Sequence, residues 1–179
     1  MKVSFELSAR DLGYFRERLK RVRESVDRSD EGRILGGAEE MLSQARASEP
    51  PEFVRARLTT LEQLIRMLRD EQWRLQGRDR ARILDALAYF VDPEDMIPDR
   101  LPGIGYLDDA IMVELIAQEL RHEISAYQDF CAFRATKKGQ DKLEARRDAL
   151  QTRMRRRRRR DREDLRARRE PGRSPLRLW

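Results

Sequence analysis

Apolar residues recur along most of this chain at steps of three and four, the spacing that lays them on one face of an α-helix. Leu12, Phe15, Leu19, Val22 and Val26 form the first such stripe, preceded by Ser8 and Asp11 in an S-x-x-D capping pattern. A second helix is predicted from about Asp30 to Ala47, with Ile34, Leu35, Ala38, Met41, Leu42 and Ala45 on one side. Pro50 and Pro51 then fit the first turn of a third helix presenting Val54, Leu58, Leu61, Leu64, Ile65 and Leu68, and Trp73 closes that segment. After a break at Gly77 and Arg78, Ile83, Leu84, Leu87, Phe90 and Val91 mark a fourth helix. A fifth begins near Asp108 and carries Ile111, Met112, Leu115, Ile116, Leu120, Ile124, Tyr127, Phe130 and Cys131.

The start departs from this period. Val3, Phe5 and Leu7 alternate with Lys2, Ser4 and Glu6, the period of a short half-buried strand. Such a strand must pair with something, for instance its counterpart in a second copy, or else be an extended lead-in packed on helices. The stripes together predict an all-α fold: a helical bundle of about five helices with a short N-terminal strand and a basic C-terminal tail, helical or disordered.

Composition excludes several classes. A spanning helix needs about 20 mainly apolar residues, whereas the runs Ile83 to Val91 and Ala110 to Ile116 are interrupted by acids. The first residues lack the apolar core of a signal peptide, so the expected location is cytoplasmic, with a membrane-peripheral position left open. Cys131 is the one cysteine and His122 the one histidine, too few for an internal disulfide or a four-ligand structural zinc site. Cys131 is expected to be a buried packing residue, and His122 a helix-surface one.

Charge divides the chain. Of 179 residues, 39 are Lys or Arg and 33 are Asp or Glu, a formal net charge of +6. Residues 141–179 hold 16 basic and 7 acidic side chains, leaving 23 basic and 26 acidic in residues 1–140. A helical domain over 1–140 and an Arg-rich tail over 141–179 follow. A polyanion would be attracted by the tail and repelled by the body.

One connection is too long and too distinctive for an ordinary bundle turn. Between Tyr89 and Asp109 stand three prolines, two glycines and five aspartates. The string Y-F-x-D-P-x-D-M-I-P-D-x-L-P-G-I-G-Y-L-D-D-A resembles the signature of the bacterial YkvA-like family, a domain of unknown function, over about residues 80–118. The resemblance implies a small helical domain, usually cytoplasmic or membrane-peripheral, with no established reaction, cofactor or catalytic residues.

The aspartates therefore have to be read physically. Asp92, Pro93, Glu94 and Asp95 form a helix-start pattern, and Asp108 and Asp109 fall where the fifth helix begins, at the favourable end of its dipole. Met96, Ile97, Leu101, Ile104 and Leu107 can tuck beneath as a plug. Alternatively Asp95, Asp99, Asp108 and Asp109 converge on Mg²⁺ or another divalent cation, which would activate water in a metal-dependent hydrolase. No cofactor is required by the structural alternative, and the segment holds no histidine or serine to complete a catalytic set.

The tail carries the sharpest charge feature, with Arg153, Arg155, Arg156, Arg157, Arg158, Arg159 and Arg160 filling seven of eight positions around Met154. No glycine or proline falls between Asp141 and Glu170, so a long exposed helix is plausible. Its apolar residues, Leu143, Leu150, Met154 and Leu165, look too sparse for a core stripe. Either the run is a solvated, frayed tail or it is an anion-binding arm whose guanidinium forks pair with phosphates. Nucleic acid and an anionic membrane surface are both candidate partners, and the closing Pro175-Leu176-Arg177-Leu178-Trp179 adds an interfacial aromatic. The function expected is a non-enzymatic interaction module acting through that tail. The metal-dependent hydrolase is the alternative, and a homo-oligomer joined through the N-terminal strand or first helix is a third.

Overall fold

The computed structural model describes residues 8–25, 27, 30–91, 106–136 and 142–169. Among these, regular structure consists of α1 (Ala9–Ser25), α2 (Glu31–Ala47), α3 (Glu52–Arg69), α4 (Gly77–Leu87), a 3-10 turn (Ala88–Val91), α5 (Leu107–Glu119), α6 (Arg121–Arg134) and α7 (Leu143–Arg169). The class is all-α as expected, but seven helices stand among the described residues in place of about five. The strand expected within residues 2–7 lies outside the described residues. The chain divides into two compact units, Met1–Leu120 and Arg121–Trp179.

In the first unit the local signals act where the sequence places them. Ser8 and Asp11 cap α1 reciprocally: the Ser8 backbone N–H and hydroxyl donate to Asp11 Oδ2 at 2.9 and 2.7 Å, and the Asp11 N–H donates to Ser8 Oγ at 3.2 Å. Those bonds from Ser8 hold the Asp11 carboxyl below its ordinary value. Asp30 caps α2 by accepting the Arg33 N–H at 3.1 Å. Pro51 sits one position before α3 rather than within it, and its carbonyl accepts the Val54 and Arg55 N–H groups.

α3 is the centre of this unit and packs against α2, α4 and α5. Val54, Leu58, Leu61, Leu64, Ile65, Met67 and Leu68 are all buried on it. Phe15, Leu19 and Val22 of α1 are also buried, while Val26 lies outside the described residues. Gly37 on α2 lets the 3-10 turn approach closely, since a Cβ there would stand 3.0 Å from Val91 Cγ1.

The link from α3 to α4 is held by Asp70 and Arg80. Asp70 Oδ1 accepts the Gln72 and Trp73 N–H groups at 3.0 Å, turning the chain so that the indole of Trp73 is buried. Arg80 then donates to the Leu68 carbonyl at 2.8 Å and the Leu75 carbonyl at 3.4 Å, and through Nε and Nη2 to Glu31 on α2. Gly77, with φ +57°, opens α4 rather than breaking before it.

The expected fifth helix is two. Leu120 closes α5, its N–H donating to the Ile116 carbonyl at 2.8 Å with φ −97° and ψ 16°, and Arg121 opens α6. No proline or glycine marks this break, so the apolar period runs straight across it. In the second unit α6 and α7 pack on each other. Leu150 and Met154 of α7 are buried, as are Ala126, Tyr127 and Phe130 of α6. The expectation that the apolar residues of α7 are too sparse for a core is thus corrected. Cys131 is free and half-buried rather than buried.

Candidate functional site

The two regions singled out by sequence fall in different units. Asp95 and Asp99 lie outside the described residues. Asp108 and Asp109 occupy the first turn of α5 and are buried there, as Asp79 is in the first turn of α4. An acid at that position faces the positive end of the helix dipole, which offsets part of its desolvation. Tyr106 precedes them in the left-handed region, φ 62° and ψ 12°, and its carbonyl accepts the Ala110 N–H at 3.0 Å. Successive residues on a helix diverge by about 100°, so Asp108 and Asp109 cannot both face one ion along the same direction. Among the described residues no group of three or more His, Cys, Asp and Glu is placed to hold a metal.

The arginine run is ordered as the middle of α7, and its partners come from α6. Arg153 meets Asp129 at 2.6 Å, Arg158 Nη1 meets Glu123 Oε1 at 2.6 Å, and His122 Nε2 lies 2.6 Å from Asp161 Oδ2, which Arg121 also contacts. Residue numbers fall along α6 as they rise along α7, so the helices are antiparallel. Glu123 is fully buried and the Arg158 side chain is 15% exposed. That pair sits within the packing rather than on its rim. The bond with His122, reinforced by the charge of Arg121, holds the Asp161 carboxyl below its ordinary value.

These contacts sort the seven arginines by face. Arg158 turns inward and Arg153 is tied across the hairpin. Arg155 donates to Gln151 at 3.3 Å, and Arg159 stands 3.6 Å from Glu163 one turn along. Arg156, Arg157 and Arg160 are exposed, and no carboxylate lies within ion-pair distance of them among the described residues. Like charges four apart, as at Arg153 and Arg157, Arg155 and Arg159, and Arg156 and Arg160, each disfavour a helix by about 0.2–0.5 kcal/mol. The helix thus carries local repulsion that an external anion would relieve.

Sequence reasoning missed the pairing of α7 with α6, though a signal was present. Leu143, Arg147, Leu150, Met154, Arg158, Asp161 and Leu165 follow one another at steps of four and three, which is one helical stripe once its polar members are allowed. Counting apolar residues alone dissolves it. His122, expected on the surface, is half-buried and forms part of the same seam.

Comparison with known proteins bears on the first unit. Residues 79–115 match the family model described as Protein of unknown function (DUF1232). A relative in Bacillus subtilis (strain 168), named "Uncharacterized membrane protein YkvA", is 35% identical over 72 residues, which are 40% of this chain and 68% of that protein. No solved structure matches the chain. The family model runs from the first turn of α4 into α5 and stops short of the α6–α7 hairpin.

Proposed function

We propose that this chain, which belongs to the YkvA-like (DUF1232) family of proteins of unknown function, is a membrane-peripheral interaction module whose helix α7 contacts anionic lipid headgroups. The observation that carries the proposal is the set of exposed arginines on α7, Arg156, Arg157 and Arg160, that have no carboxylate partner among the described residues. Guanidinium forks match phosphate oxygens in pairs, and each basic residue near an anionic surface contributes about 1 kcal/mol. The relative's name as a membrane protein supports the same direction. No described helix is long and apolar enough to cross a bilayer, which leaves surface contact as the mode available to those elements.

The test is sedimentation of the full chain with vesicles of phosphatidylcholine alone or mixed with phosphatidylserine, beside Arg156→Gln/Arg157→Gln/Arg160→Gln. Retention should require phosphatidylserine and weaken as salt rises. The triple variant should bind about a hundredfold more weakly, the equivalent of about 3 kcal/mol. Absence of retention at low salt, or equal retention of the variant, refutes the proposal. Tighter binding to a generic RNA duplex than to the vesicles transfers the arginines to nucleic acid instead.

A further inference from the structure

We infer that the lipid contact is completed by the last two turns of α7, where Leu165 enters the membrane interface between Arg162 and Arg168. The inference rests on the lipid reading above and adds which segment touches the bilayer and by what chemistry. The pairing with α6 ends at Asp161, which meets Arg121 and His122, the first two residues of α6. α7 nevertheless continues to Arg169. Leu165 belongs to the same stripe as Met154, Arg158 and Asp161, but it lies beyond the start of α6 and is 57% exposed.

Apart from Asp161, which lies about 40° from Leu165 and is engaged by Arg121 and His122, the flanks of Leu165 are mainly cationic. At about 100° per residue, Arg162 and Arg168 stand about 60° to either side of it and Arg166 about 100° away. All three are exposed and have no ion pair among the described residues. Glu163 falls on the opposite face, turned back toward Arg159, and Asp164 lies on the flank away from Arg166. An exposed leucine flanked by arginines offers, on the scale of one residue, the contacts an interfacial helix makes. Its apolar residue enters the acyl boundary while arginine stems lie along the surface and their heads reach phosphates. A phosphate backbone of nucleic acid would gain nothing from the leucine. A second copy meeting the same patch would bring arginines against arginines.

The experiment uses the full chain with Leu165→Ser and Leu165→Phe, on the same phosphatidylserine-containing vesicles. Leu165→Ser keeps the charge and the exposed position, and far-UV circular dichroism checks that helix content is retained. It should bind at least fivefold more weakly, and the deficit should persist as salt rises because burial of apolar surface is not screened. Leu165→Phe should bind at least as tightly as the parent. If the parent binds and Leu165→Ser binds equally, this inference fails while the lipid reading stands. If the parent does not bind, both fail. If Leu165→Ser instead loses affinity for generic RNA, or turns a dimer into a monomer by light scattering, the occupant is nucleic acid or a second copy and the inference is overturned.

Discussion

Arg158 offers the sharpest test of how the hairpin is built, because it belongs to a run that reads as surface charge yet sits against a buried acid. The side chains of Glu123 and Arg158 are 0% and 15% exposed, and Nη1 and Oε1 are 2.6 Å apart. Charge centres about 4 Å apart at an effective dielectric of about 20 attract by about 4 kcal/mol. Deleting one member of such a pair costs about 3–5 kcal/mol, since the carboxylate keeps its desolvation and loses its counter-charge. Water reaches part of Arg158, which places Arg158→Met near the lower end, about 3 kcal/mol. Replacing both, Glu123→Leu with Arg158→Met, removes the desolvation along with the attraction and should fall within about 1 kcal/mol of the parent. The coupling in a double-mutant cycle should then be about 2–3 kcal/mol. Because the chain forms two units, a single unfolding midpoint would mix them. The assay is therefore native-state hydrogen exchange of the α6 and α7 amides, which reports opening of the hairpin itself. A cost below about 1 kcal/mol for Arg158→Met, or a double variant as unstable as the single one, refutes the account of Arg158 as an internal pin.

Two further outcomes follow from other contacts. Asp11, Glu62 and Asp161 are all held below their ordinary carboxylate values, by hydrogen bonds from Ser8, from Arg46 and Arg66, and with His122 respectively. A depressed folded-state pKa adds stability that is complete above the unfolded value of about 4 and disappears as pH falls through the lower folded value. The opening free energy of each unit, read separately by native-state hydrogen exchange, should therefore hold down to about pH 5 and decline below about pH 4, and Asp11→Asn/Glu62→Gln should flatten that decline in the first unit and Asp161→Asn in the second; an unchanged acid slope contradicts it. Arg80→Ala removes the guanidinium that joins Glu31 to the Leu68 and Leu75 carbonyls. A loss of about 2 kcal/mol is expected in the opening free energy of the α3 and α4 amides by native-state hydrogen exchange, with faster proteolysis between residues 70 and 76, whereas a loss under about 0.5 kcal/mol shows that the Asp70 turn and the burial of Trp73 hold the link without Arg80.

How far the fold was legible depends on the range of the interaction that decides each element. The stripes of α1 to α3, the reciprocal cap at Ser8 and Asp11 and the cap at Asp30 are short-range, and the structure places them within a residue or two of where the pattern does, whereas the fourth helix ends at Leu87 and Phe90 and Val91 fall in the 3-10 turn that follows it. The break at Leu120 is different. Its residues suit a continuous helix, and the break falls at the boundary between the two compact units, which no local signal marks. Of the aspartate segment, Asp108 and Asp109 are buried in the first turn of α5, the position at the favourable end of the helix dipole that their place in the sequence indicates.

By itself, the sequence determined the all-α class, the family and the charge division between the body and the last 39 residues. Each is written in local spacing, in a contiguous motif or in composition. Only the tertiary structure decided which arginines of the run face solvent. That choice depends on the antiparallel register that brings Glu123, Asp129 and His122 opposite Arg158, Arg153 and Asp161. Consecutive arginines are chemically identical along the chain. A helix rotates them about 100° apart, and what each meets across the hairpin turns one inward onto a buried acid and leaves its neighbour exposed to solvent.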